Sequence, residues 1–144
     1  MEYTGEGINA LVCAMDDLEN ASLIFVDQRL RTVLRCIAYY PEFRDVLAYC
    51  NQNFDYENEK RKALGKIGET YVLRLPKSPK NMVAFVSQLL VEFDAGLIDI
   101  VTFAGKYYPQ ENKQDSYKEL YFKVLEPFKF DYVWLSKVYE SVKP

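Results

Sequence analysis

Histidine is absent from all 144 residues. That removes the side chain most often used as general base, proton shuttle and metal ligand near neutral pH. Neither a Ser-His-Asp triad nor a Cys-His dyad can be assembled within the chain. Cysteine is sparse, with only Cys13, Cys36 and Cys50, and no CxxC pair occurs. Three lone thiols without histidine fall short of the four ligands of a structural zinc site, so no metal and no cofactor is expected. Each cysteine lies among apolar neighbours, which reads as three buried free thiols in a reducing compartment.

Long hydrophobic runs are missing too. No stretch approaches the roughly 20 apolar residues that a membrane-crossing helix needs. The opening "MEYTGEGINALVCAMDDLEN" carries early acids where a secretory leader would be basic and then apolar. The expectation is a cytoplasmic protein with no membrane association. Low complexity and extreme charge are also lacking: 49% of residues are hydrophobic, 27% are charged and the net charge is −3. A chain of this length buries about 68–70% of its unfolded surface, enough for one core, so residues 1–144 are read as a single domain.

Aromatic residues are what the chain has in excess. Twelve Tyr, nine Phe and one Trp make up 15% of it. Residues 107–128, "YYPQENKQDSYKELYFKVLEPF", concentrate this feature around a polar loop. Tyrosine suits sites that are half apolar and half wet, whether inside a fold or at an interface, and composition does not separate the two.

Hydrophobic periodicity is helical along most of the chain. Ile8, Leu11, Met15 and Leu18 mark a first helix over about residues 7–20. Leu23, Val26, Leu30, Val33, Leu34 and Ile37 mark a second, ended by Pro41, and Phe43, Val46, Leu47 and Cys50 a third. Asp55 is placed to cap a short fourth helix that ends near Gly65. "GKIGETYVLRLPKSP" breaks the pattern as a connector or a lone strand. Ser78 and Pro79 then start a helix that is apolar around most of its circumference, Asp99 caps the next, and Ser116 with Glu119 has capping-box spacing for another. Pro127 kinks that helix or opens a final one. The fold class expected is all-α, a compact single-domain bundle of about seven to eight short helices with one extended connector around residues 65–78.

Motifs that would carry chemistry do not hold together. Gly96, Ile98, Asp99 and Phe103 have calcium-loop spacing, but the ligand positions fall on Val91, Phe93, Ala95 and Thr102, without one carboxylate. "GKIGET" lacks the lysine and hydroxyl that follow the last glycine of a phosphate-binding loop, and Glu69 would repel phosphate. Paired acids such as Asp16 and Asp17, or Glu92 and Asp94, do not share a helix face. No catalytic residue is assigned.

Two surfaces remain. Residues 60–80 hold seven basic side chains and one acid, whereas residues 1–59 hold four and eleven. Lys60, Arg61, Lys62, Lys66, Arg74, Lys77 and Lys80 are therefore candidates for polyanion or nucleic-acid binding, with Tyr71 available to stack on a base. The acidic remainder of the chain and the lack of a reader motif count against that use. The second surface is the last helix. Phe128, Tyr132, Leu135, Tyr139 and Val142 form one apolar stripe, and Phe130, Trp134 and Val138 form another beside it. The first is expected to face the core and the second to meet a protein partner, most simply a second copy in a homodimer. The function expected is a non-catalytic helical interaction or regulatory module that self-associates. Polyanion binding through residues 60–80 is the alternative, and a carboxylate-based enzyme the second alternative.

Overall fold

The computed structural model describes residues 5–142, with only the backbone of residues 140–142. Its helices, in chain order, are α1 (Glu6–Glu19), α2 (Val26–Tyr39), α3 (Pro41–Cys50), α4 (Tyr56–Ala63), α5 (Pro79–Asp94), α6 (Ile100–Tyr107), α7 (Lys113–Leu120) and α8 (Glu126–Val142). The all-α class is as expected. Three of the four predicted caps are in place: Asp55, Ser78 and Asp99 each accept the backbone N–H of the residue three positions on. Each cap satisfies one of the amides that a helix start leaves unpaired.

The connector differs from the expectation. It holds a two-stranded antiparallel hairpin, β1 (Leu64–Ile67) and β2 (Thr70–Leu73), with Ile67 opposite Thr70. Only Gly68 and Glu69 join the strands, and Gly68 takes φ 62°, the left-handed conformation that the first position of a tight hairpin turn requires.

The Ser116 cap is corrected. Asn112 starts α7 by accepting the Asp115 amide at 2.9 Å, so Ser116 lies one turn inside the helix. Its buried hydroxyl instead accepts the Gln110 amide and folds the preceding loop back onto α7. Pro127 falls in the first turn of the final helix, one of the two outcomes expected of it. A π-helical turn over Tyr121–Leu125 joins α7 to α8, and the Glu126 amide reaches the Tyr121 carbonyl five residues back. The wider turn accommodates both the ring of Pro127 and its missing N–H.

Helix α5 is the central element, packed on α2, α3, α4 and α8, and Met82–Ser87, Leu89, Leu90 and Phe93 are all buried. Helix α8 crosses α5 and touches α3 and α1. Where α1 meets α3, the buried carboxylate of Glu42 lies over Gly7, and a Cβ at Gly7 would sit 2.5 Å from Glu42 Oε1.

The tyrosines of the chain's second half are largely core. Tyr117, Tyr121 and Tyr132 are fully buried, and their hydroxyls donate to the backbone carbonyls of Leu18, Met15 and Phe43. Each ring fills the core while its one polar atom bonds the backbone of a neighbouring helix, as a buried phenol requires. Cys36 and Cys50 are buried as expected, whereas Cys13 is exposed. It falls on the outer side of α1, opposite the row Leu11, Met15 and Leu18 that meets the core.

Candidate interaction face

Helix α8 carries its two stripes as the periodicity predicts. Phe128 and Tyr132 are fully buried and Leu135 nearly so, with Tyr139 packed against the core. Val142 lies outside the residues whose side chains are described. On the second stripe Phe130 is 70% exposed and Trp134 48%, while Val138 is half-buried. Ser136 is buried and its hydroxyl donates to the Tyr132 carbonyl at 2.7 Å, and Lys129 lies 4.0 Å from Asp16 of α1.

Two open grooves flank this stripe. One, of about 440 Å³, runs between α1 and α8 and is lined by Val12, Phe130, Val133 and Trp134, with Glu126, Lys129 and Lys137 along it. The other, of about 480 Å³, is lined by Val46 and Tyr49 of α3, Pro79 of α5 and Trp134, Val138 and Tyr139 of α8. Trp134 stands on the ridge between them. The indole therefore has apolar depressions on both sides, and the three residues Phe130, Trp134 and Val138 span both grooves.

The basic segment is divided among local partners. Lys60 Nζ is 2.9 Å from Glu92 Oε1, and Tyr56 donates its hydroxyl to the same carboxylate, which ties α4 to α5. Burial alone would raise Glu92, but the hydrogen bonds from Tyr56 and Lys60 and the ammonium charge outweigh it and hold the carboxyl below its ordinary range. Lys80 donates to the carbonyls of Cys50 and Gln52 and closes the end of α3. Lys62 pairs with Glu59, and Arg61 bonds Asn58. Lys66 and Lys106 lie 4.9 and 4.4 Å from the ring centre of Tyr71, a doubly flanked cation–π arrangement on the hairpin. Arg74 and Lys77 are exposed.

Among the described residues, no group of three or more His, Cys, Asp or Glu side chains is placed to hold a metal ion. No described helix is long and apolar enough to cross a membrane. Compared with known proteins, the chain matches no family model, no curated protein and no solved structure.

Proposed function

We propose that this protein is a non-catalytic helical interaction module that binds a protein partner through the outer face of α8, the simplest partner being a second copy of itself. The observation that carries the reading is the exposure of Phe130 and Trp134 side by side between two apolar grooves. Large aromatics are the side chains most enriched as binding anchors, and contiguous apolar surface of this kind marks interaction sites. At 150–250 Å² for a buried aromatic, the exposed parts of the two rings amount to roughly 250 Å² per copy. Covering them is worth about 6 kcal/mol per copy. For a pair that is comparable with the roughly 4–15 kcal/mol cost of association, so the aromatics alone support modest affinity and filling the grooves must supply the rest.

The polyanion reading is weaker because Lys60 and Lys80, two of its seven cations, are engaged with a carboxylate and with helix-end carbonyls. The proposal places the module in the cytoplasm, supported by Cys36 and Cys50, buried thiols that form no disulfide. The test is light scattering on the paired variant Phe130→Glu with Trp134→Ala. Loss of the assembled species with unchanged helical circular dichroism supports the reading. An assembly that persists in that variant contradicts it.

A further inference from the structure

Two charged residues bracket the aromatic stripe, and their order along α8 says how a second copy would lie. Glu126, Phe130, Val133, Trp134 and Lys137 recur at helical intervals on one face, and all five line the groove between α1 and α8. Glu126 and Lys137 are both exposed, and neither has an ion-pair partner among the described residues. Lys129, the other cation along the groove, is half-buried against Asp16. Among the described residues, the stripe therefore carries a negative charge without an ion pair at one end, a positive one at the other and apolar rings between.

Resting on the self-association reading above, we infer that two copies pair through an antiparallel two-fold contact of α8 on α8, with Glu126 of each copy against Lys137 of the other. A two-fold axis between residues 131 and 132 brings 126 opposite 137 twice, and sets Phe130 of one copy beside Val133 and Trp134 of the next. Parallel alignment would instead put Glu126 on Glu126 and Lys137 on Lys137. Like charges across an interface disfavour that register, and opposite charges select the antiparallel one.

The same pairing limits the crossing angle. Each charge lies about 8 Å along the helix from the axis. At a crossing of about 20° the facing residues are offset there by roughly 3 Å, and at about 50° by roughly 7 Å. The shallow crossing brings both ion pairs closer together.

The experiment is a sedimentation-equilibrium series on wild type, Glu126→Lys, Lys137→Glu and the double swap, at low salt and at 0.5 M salt. Circular dichroism checks that each variant is folded. Each single swap sets two like-charge contacts across the axis and is expected to weaken the dimer about tenfold at low salt, with the effect shrinking in high salt. The double swap restores both pairs and should return to within about threefold of wild type. An equimolar mixture of the two single variants should associate more tightly than either alone. A wild-type dimer insensitive to the single swaps, or a double swap no better than the singles, overturns the antiparallel pairing and leaves the interaction face standing. A monomeric wild type at high micromolar concentration overturns self-association itself.

Discussion

Replacing Tyr117, Tyr121 and Tyr132 one at a time by Phe should give three different stabilities, although each change removes one hydroxyl from an equally buried ring. The difference lies in the carbonyl left behind. Met15 is inside α1 and Phe43 inside α3, so each of their carbonyls keeps a helical amide from four residues later when the phenol is removed. Those two substitutions should cost about 0.5–1.5 kcal/mol, the net worth of an ordinary hydrogen bond. Leu18 is in the last turn of α1, where carbonyls lack intrahelical partners, and its remaining amide contact, from Ala21, is long at 3.4 Å. The Tyr117 hydroxyl thus acts as a side-chain cap on α1. Tyr117→Phe leaves a buried acceptor poorly satisfied and should cost about 1–3 kcal/mol. The assay is urea unfolding followed by far-ultraviolet circular dichroism at one fixed protein concentration, because an associating protein has a concentration-dependent midpoint. An unchanged slope with a lower midpoint is expected, with Tyr117→Phe lowest. Tyr117→Phe that unfolds at or above the midpoint of the other two would refute the capping argument.

Other consequences follow from groups that burial perturbs. Burial, with the charge of Glu42 adding to it, pushes the Cys36 thiol up to about 11, and burial raises Cys50 to about 12 against the opposing charge of Lys80; in the native protein a chromogenic thiol reagent should therefore modify exposed Cys13 quickly and the other two slowly, and three fast thiols would contradict this core. Burial also raises Tyr117, Tyr121 and Tyr132 above the ordinary value of about 10. The folded state then holds those protons more tightly than the unfolded chain, so stability is intact below about pH 10 and falls above it by about 1.4 kcal/mol per pH unit for each tyrosine. A midpoint in urea that is flat between pH 9 and pH 11.5 would contradict that sign. Glu92→Gln removes the carboxylate that holds both Tyr56 and Lys60 and should destabilise by about 1.5–3 kcal/mol in the same unfolding assay, while an unchanged midpoint would show that the α4–α5 clasp contributes nothing.

Much of this architecture is readable from local signals. Asp55, Ser78 and Asp99 announce their helices because a cap acts on an amide three residues away, and Gly96 follows α5 with φ 75° as a helix stop should. The two stripes of α8 are legible because the periodicity of one helix fixes which residues share a face. Features that depend on a second segment are not legible in this way. The hairpin was hidden because neither strand alternates cleanly between apolar and polar residues, although a two-residue Gly68-Glu69 loop is a recognisable turn signal. Asn112 and Ser116 are both competent caps, and only the folding back of the loop onto Ser116 decides between them. Lys60 looks like a free cation until α5 brings Glu92 to it from 32 residues away. Cys13 sits in an apolar context, yet it falls on the exposed side of α1, opposite the buried row of Leu11, Met15 and Leu18. The tyrosines resolve both ways, since Tyr117, Tyr121 and Tyr132 are core while Tyr39 is 74% exposed.

The central claim is that the outer face of α8 joins one copy to another, and the most direct measurement is the mass of the wild-type protein by light scattering over a dilution series, with Trp134 emission recorded on the same samples. Self-association predicts a mass of two chains at high concentration that falls toward one on dilution, accompanied by a red shift as the half-exposed indole returns to water. A mass of one chain at high micromolar concentration, with Trp134 emission unchanged by dilution, would contradict it.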